Sequence, residues 1–463
     1  MNNDTICAIS TAPGIGAIAV IRVSGPEAFS ICDKIFKAAN DKMTAAVAKS
    51  HTALFGYIRY EDHIIDEVVV TVFRAPNSFD GENTVEISCH GSIYIQQKII
   101  HILLKKGCRM AQPGEFTRRA FTNGKMDLSQ AEAVADLIAS TSAANHQLAL
   151  QQMRGGFSHE LENLRNDLLH FVTMIELELD FSEEQVEFAD RKDLRDLAKK
   201  LEKHLKRLMD SFKLGNALKN GIPVAIVGET NAGKSTLLNK LLNEERAIVS
   251  DIHGTTRDVI EDTVNISGFT FRFIDTAGLR ETDDELELLG IERTYQKIEQ
   301  AHIVLWVIDS TKVSEHVEWM ADKIISRTKD KNLVLIFNKS DMVSKEEQAV
   351  LNNIFKAYSK SRMHISARQG ENIDILRAKL LEIAGLPDLE HQDIIITNLR
   401  HFEALSSAHE SIVRVQDGLR KNVSGEFLSQ DIRECLYHLG EITGIITTED
   451  VLQNIFKNFC IGK

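Results

Sequence analysis

Gly228-Glu229-Thr230-Asn231-Ala232-Gly233-Lys234-Ser235, GETNAGKS, follows the apolar run PVAIV and opens the helical pattern TLLNKLL. Its glycines let the backbone curl so that successive N–H groups face phosphate oxygens, and the helix behind it offers its positive end to the same anion. In that strand-to-helix setting the pattern predicts a phosphate-binding loop formed by Asn231, Ala232, Gly233, Lys234, Ser235 and Thr236. Lys234 is expected to reach the β and γ phosphates, and Ser235 to give its hydroxyl to Mg²⁺.

Three further stretches fall at predicted strand ends, where an open parallel sheet binds its ligand. FRFIDTAG carries Asp275, Thr276, Ala277 and Gly278; the carboxylate suits the metal's water shell, and the Gly278 N–H suits a γ phosphate. LVLIFNKSD carries Asn338, Lys339 and Asp341, whose carboxylate can accept from the two adjacent donors on guanine. Adenine would leave that carboxylate unpaired. MHISA supplies Ser366 and Ala367. The order of these motifs resembles the Ras-like GTPase superfamily. After DTAG stands Leu279, which can neither donate nor accept, so another group must orient the attacking water. The segment RETDDELELLG offers Glu287 for that task.

Around this α/β segment the texture differs. The 463 residues, 43% apolar, suffice for about three domains. ALFGYIRY, IIDEVVVTVF and TVEISCHG read as strands and SIYIQQKIIHILLKKG as a helix, predicting an α+β domain over residues 1–120. Leu161, Leu164, Leu168, Val172, Ile175 and Leu179, and again Leu194, Leu197, Leu201, Leu205 and Leu208, recur at helical spacing. They predict a helical domain over 121–215 that resumes over 386–463, with a GTP-binding domain inserted at 216–385. The expected fold class is therefore multidomain, α+β and α/β, with an all-α part. Six scattered cysteines form no CxxC pair and read as free thiols. No segment approaches the roughly 20 apolar residues of a membrane span, and no signal peptide is visible, so a cytoplasmic location without membrane contact is expected. The net charge of −13 argues against a wholly basic surface, but residues 1–125 carry 14 Lys and Arg against 12 Asp and Glu.

VSDIHGTTRD after the loop, Asn231 within it, and the terminal CIGK, together with DTICAISTAPGIGAIAVIRVSG, PNSFDGENTVEISCHG and QPGEFTRRAFTNGKMDLSQAEAVADLI, resemble the tRNA-modification GTPase MnmE (TrmE) family along essentially the whole chain. The resemblance implies a GTPase activated by K⁺ and by dimerisation. It places K⁺ at Asn231, Ser250, Ile252 and Thr255, Mg²⁺ at Ser235 and Thr256, and water activation at Glu287. It further implies a folate-binding-like first domain that takes a tetrahydrofolate derivative, in the 5,10-methylene or 5-formyl form, at Arg22, Glu82, Lys125 and Lys463. A homodimer acting on tRNA with the flavoenzyme MnmG would install an aminomethyl-type (carboxymethylaminomethyl) group at C5 of the wobble uridine. No GxGxxG in βαβ context gives this chain its own flavin site. The alternative is a regulatory GTPase switch in ribosome assembly, which would call for an RNA-binding module such as a KH domain. A folate-dependent methyl transferase with an accessory GTPase is a third.

Cys460 in NFCIGK is a poor prenylation site, because Gly462 is not aliphatic and Lys463 is a poor final residue. The pattern EDVLQNIFKNF predicts a helix burying Val451, Leu452, Ile455, Phe456 and Phe459 and leaving Cys460 in its last turn. The negative end of a helix opposes a thiolate, so a reactive one there needs Lys457 or Lys463 nearby. The resemblance associates Cys460 with the modification chemistry.

Overall fold

The computed structural model describes residues 4–180, 191–243, 262–274, 296–312, 324–328, 331–357, 361–385, 394–457 and 459–462. Ser250, Ile252, Thr255, Thr256, Asp275, Thr276, Ala277, Gly278, Leu279, Glu287 and Lys463 lie outside these residues. The chain forms two compact units. One comprises Met1–Ala139, Ala149–Leu205 and Glu403–Lys463, the other Ser140–Leu148 and Lys206–Phe402.

The first unit begins with a seven-stranded sheet of β1 (Ile6–Ile9), β2 (Ile18–Ser24), β3 (Phe36–Ala38), β4 (Thr52–Tyr60), β5 (His63–Phe73), β6 (Thr84–His90) and β7 (Arg109–Met110). Their order is β3-β4-β5-β6-β2-β1-β7. Pairing is antiparallel except between β1 and β7. Strand residues alternate between faces. Ile21, Val23, Val68, Val70, Val72, Val85 and Ile87 therefore all enter one core, which α1 (Ala28–Asp33) and α2 (Ile93–Lys105) cover with Ile31, Ile99, Ile102 and Leu103. Arg22 and Glu86, opposite each other in the β2–β6 register, belong to the other face. There α3 (Glu115–Thr122) packs Phe116 against Ile6 and Ala8.

Helices follow as α4 (Leu128–Ala139), α5 (Ala143–Met153), α6 (Gly156–Asp180) and α7 (Arg191–Asn220). The leucine stripes are the interior edges of the last two: Leu161, Leu164, Leu168, Leu194, Leu201 and Leu205 are buried. Each such side chain contributes about 1.5–3 kcal/mol by leaving water.

The second unit is a doubly wound domain. Its strands are β8 (Ile222–Val227), β9 (Asp262–Ile266), β10 (Phe269–Phe273), β11 (Ile303–Asp309), β12 (Asn332–Asn338) and β13 (Ser361–His364). They lie in the order β13-β12-β11-β8-β10-β9, parallel except for the β9–β10 hairpin. β11 reads IVLWVID and is buried at every position, as a central parallel strand covered on both faces must be. α8 (Lys234–Asn243), α9 (Lys345–Ile354) and α10 (Ile373–Ala384) are among its described helices. This is a Ras-like P-loop GTPase fold inserted into the helical part. The start of α5 belongs to it, since Ala144 N–H donates to Gly268 O (3.1 Å) in the β9–β10 turn and Phe269 packs with Leu148 and Leu218.

Three helices close the chain: α11 (Leu399–Arg420), α12 (Gly425–Thr443) and α13 (Glu449–Phe456). In the first unit Gln416 Nε2 of α11 donates to Ala198 O (3.1 Å) and Glu202 Oε2 (2.8 Å) of α7, and Ser429 of α12 donates to Glu176 of α6 (3.1 Å). The expected last helix is corrected in two respects. It stops at Phe456, so Cys460 lies beyond it rather than in its last turn, and Val451 is exposed. The reason is packing. Phe456 is buried and Phe459 packs on the same cluster of Leu128, Ala131, Phe121 and Met126, and the chain leaves the helix after Phe456. Among the described residues, no helix is long and apolar enough to cross a membrane.

Candidate functional site

The phosphate loop joins β8 to α8, and three of its residues have positive φ: Gly228 (+146°), Asn231 (+62°) and Gly233 (+93°). A side chain at Gly228 would collide with the backbone carbonyl of Val307, and one at Gly233 with the Asn338 amide. Close backbone approach therefore requires glycine at both. Asn338, at the end of β12, is buried and ties the parts together. Its Nδ2 donates to Ala232 O (2.8 Å) and its Oδ1 accepts from Ala367 N (3.0 Å). Thus one side chain connects the phosphate loop to the Ser366–Ala367 loop. Ser366 is fully buried, and its Oγ accepts from Gln369 N (3.1 Å). Lys339, at φ +64°, pairs with Asp309 Oδ2 at 2.5 Å; Asp309 also accepts from Thr311 N and Oγ1. Asp341 follows, exposed, in a 3₁₀ turn whose first residue, Ser340, is buried.

Lys234 Nζ donates to Gly228 O (2.8 Å) and Glu229 O (2.6 Å). Burial, reinforced by the Lys297 charge, lowers its pKa to about 8, against the partial support of Glu229. The ammonium is thus held in a curled loop that presents N–H donors, a setting that an anion would relieve. Ser235 and Thr236 open α8, and Asn231 is exposed at the loop. Of the expected metal ligands, Ser235 and Asn231 fall within the described residues; both offer oxygen donors at the phosphate loop, the donor type that Mg²⁺ and K⁺ take.

The first unit brings Arg22, Glu82, Lys125 and the chain's tail onto one set of supports. The loop 76–83 is anchored by Asp80, which is 1% exposed and accepts from Ser24 Oγ (2.5 Å), Thr84 Oγ1 (3.2 Å) and Glu82 N (3.1 Å). Lys125 Nζ donates to Pro76 O (3.0 Å) at the start of this loop, and Asn123 Nδ2 donates to Asp80 O (2.7 Å). Glu82 Oε2 accepts from Arg119 NH1 of α3 (2.9 Å). Arg22 lies with its guanidinium 5.1 Å from the Phe79 ring centre and 5.4 Å from that of Phe116. Its Nε and NH2 both donate to Glu86 Oε1 (3.0 and 2.7 Å), while NH1 is buried without a partner among the described residues. A buried donor left open is costly and marks a place for an acceptor.

The tail reaches the same elements. Gly114 N, at the start of α3, donates to Cys460 O (3.3 Å), and Ser10 Oγ donates to Gly462 O (3.1 Å). Cys460 is exposed there, whereas the other five cysteines are buried, all six being unpaired. Sequence reasoning missed Arg119, Glu86, Asp80 and Asn123. Arg119 is 8% exposed and joins a network in which two guanidinium groups, Arg109 and Arg119, meet the carboxylates of Asp4, Glu82 and Glu115. The Arg109 hydrogen bond holds Asp4 below the usual carboxylate range against the cost of burial. Burial pushes Glu115 up, but its bonds from Arg109, the Gln112 N–H and Arg119 outweigh that and leave it lowered. Nothing in a run such as FTRRAF tells which arginine is buried; that depends on the distant Asp4 and Glu82.

Residues 128–460 match the family described as MnmE helical domain, and residues 5–125 match GTP-binding protein TrmE N-terminus. The tRNA modification GTPase MnmE of Bacteroides thetaiotaomicron is 60% identical over 467 residues, covering 100% of both chains. That of Parabacteroides distasonis is 58% identical over 461 residues, covering 99% of this chain and 100% of the relative. That of Porphyromonas gingivalis is 51% identical over 467 residues, covering 100% and 98%.

Proposed function

The chain belongs to the MnmE family of tRNA-modification GTPases, and from this premise we propose that it works with the flavoprotein MnmG at C5 of the wobble uridine. It is a GTP hydrolase of tRNA modification. The finer reading is a cytoplasmic homodimer that adds an aminomethyl-type group, using a tetrahydrofolate one-carbon donor and K⁺-activated GTP turnover. Its folate-binding part would be residues 1–120, its GTP-binding part 216–385, and its helical part 121–215 with 386–463.

In the nucleotide step the loop N–H groups and Lys234 bind the phosphates, Asn338 fixes the loop against Ser366–Ala367, and Asp341 reads guanine. Ser235 and Thr256 would hold Mg²⁺. Asn231, Ser250, Ile252 and Thr255 would hold K⁺. Both ions would supply positive charge to offset the negative charge that develops on the phosphates. Glu287 orients the attacking water.

In the folate step Arg22, through its open NH1, would donate to a carboxylate or carbonyl oxygen of the one-carbon carrier, with Glu82, Lys125 and Lys463 as further polar contacts. A bound tetrahydrofolate would supply the one-carbon unit. The observation that carries this reading is that the tail bearing Cys460 is tied to Gly114, two residues from the Phe116 that supports Arg22. Cys460 would then act at the donor, its thiol being exposed.

Mass spectrometry of tRNA nucleosides tests the assignment, with wild type or Cys460→Ser added back to cells lacking the protein. Loss of the C5 group, restored by wild type alone, is expected. An unchanged nucleoside profile in the deficient cells would refute the pathway, and full rescue by Cys460→Ser would refute the role of the thiol.

A further inference from the structure

The side of the first domain turned away from Arg22 carries a feature that the GTP and folate chemistry leaves unused. Helix α2 has no acidic residue, and residues 93–107, IYIQQKIIHILLKKG, include Lys98, Lys105 and Lys106. Tyr94, Lys98, His101 and Lys105 follow at intervals of four, three and four residues, so they share one stripe of the helix. That stripe lies opposite the buried Ile99, Ile102 and Leu103 and extends about 16 Å along the axis. Tyr94 is 67% exposed. Beside the stripe lies Tyr60, at the end of β4. The ammonium groups of Lys98 and Lys105 are 5.4 and 5.5 Å from its ring centre, and Lys105 Nζ donates to its hydroxyl at 3.2 Å.

In a chain of net charge −13, three neighbouring lysines would ordinarily find carboxylates. Elsewhere in this domain Arg22, Lys37, Arg109, Arg118 and Arg119 do, whereas Arg74 and Lys125 bond to backbone carbonyls instead. Among the described residues, none of Lys98, Lys105 and Lys106 is in an ion pair. Glu61 and Asp62, in the turn after Tyr60, pair with none of them. The result is a small cationic surface interleaved with aromatic rings.

We propose that this α2 stripe, with Tyr60, is a docking surface for tRNA. The lysines contact backbone phosphates, and the exposed Tyr94 ring stacks on an unpaired base. Phosphates supply the anionic partners that the lysines lack among the described residues, and a base face suits a tyrosine that the protein leaves bare. The occupant rests on the tRNA reading above; the surface itself is read from the side chains.

The test measures binding of an unmodified tRNA transcript to the full-length protein over a range of KCl concentrations. It compares wild type with Lys98→Ala/Lys105→Ala/Lys106→Ala, with the corresponding triple arginine variant, and with Tyr94→Ala. Thermal unfolding and GTP turnover monitor folding. The triple alanine variant should bind roughly tenfold or more weakly, and its slope of log affinity against log salt should be shallower by about two to three. Arginine should restore both. Tyr94→Ala should weaken binding with the slope unchanged. Equal affinity and slope for wild type and the triple alanine variant overturn the surface while leaving the tRNA reading intact. A wild type that neither binds tRNA nor restores its modification overturns the tRNA reading itself. Retained tRNA affinity with lost modification assigns the face to a protein partner and also overturns the proposal.

Discussion

Gly462→Ala should detach the end of the chain while leaving the fold intact. Gly462 has φ +96° and is buried against the end of β1. A Cβ there would lie 3.0 Å from the Ile9 carbonyl carbon and from Ser10 Cα, and closer still to the Ile9 oxygen. All three are backbone atoms, which cannot rotate aside as a flexible side chain would. The unfavourable φ alone costs on the order of 1–3 kcal/mol, and the collision adds to it. Against this stand two hydrogen bonds, Ser10 Oγ to Gly462 O and Gly114 N to Cys460 O, each contributing about 0.5–1.5 kcal/mol. Strain therefore matches or exceeds the local tethers, and the segment after Phe459 releases. Phe456, which remains buried with Leu128 and Ala131, holds α13 in place. The fraction of protein with a free tail should rise about 5- to 150-fold, the range that about 1–3 kcal/mol implies. Removal of the terminal lysine by a carboxypeptidase should accelerate in proportion. Wobble-uridine modification should fall, with GTP turnover and the unfolding temperature nearly unchanged. Unaltered carboxypeptidase release would refute the reasoning about the tail's seat, and unaltered modification its link to function.

Lys234 titrates near pH 8 against an ordinary 10.5, so between about pH 8 and 10.5 the unfolded chain holds more protons and this lysine's contribution to stability rises with pH. Phosphates favour its charged form, so above pH 8 GTP binding should take up protons and weaken as pH rises; calorimetry in buffers of different ionisation enthalpy would show this, and buffer-independent heats would refute it. Asn338→Ala leaves Ala232 O and Ala367 N without the side chain that joins them, at roughly 1–3 kcal/mol for each group left unsatisfied. Binding of a fluorescent GTP analogue should weaken at least about tenfold, and wild-type affinity would count against the bridge. GTP turnover should be faster in KCl than in NaCl at equal ionic strength, with Asn231→Ala removing the difference; equal wild-type rates in both salts would rule out the K⁺ assignment.

The two sites were legible to different degrees because they are assembled differently. A phosphate site is made largely of backbone donors from one short loop, and the glycines that permit its positive φ values stand in the sequence as GETNAGKS. The alternating apolar runs that follow likewise disclose a parallel sheet, since buried central strands such as IVLWVID have little polar material to confuse the pattern. Lys234 shows the limit even there: its position in the motif is plain, but its lowered pKa arises from burial and from Lys297, which the motif does not contain.

In the first domain the supports come from residues far apart in the chain. Arg119 meets Asp4 and Glu82, and Arg22 meets Glu86 across two strands and lies over Phe79 and Phe116. Each of these charges looks alone like an ordinary surface residue, because burial and pairing are properties of the β2–β6 register and of how α3 packs. The same limit applies at the carboxyl end. Apolar periodicity shows that α13 has a buried face, but it cannot show that Phe459 leaves helical geometry to pack beside Gly114, which places Cys460 on the loop before α3. The family resemblance supplied Arg22, Glu82, Lys125 and Cys460; side-chain geometry supplies what holds them, namely Arg119 for Glu82, Glu86 for Arg22, Pro76 O for Lys125 and Gly114 for the tail. A substitution in one of these supports should therefore disturb the proposed folate site without touching a ligand contact, an effect that local sequence cannot foresee.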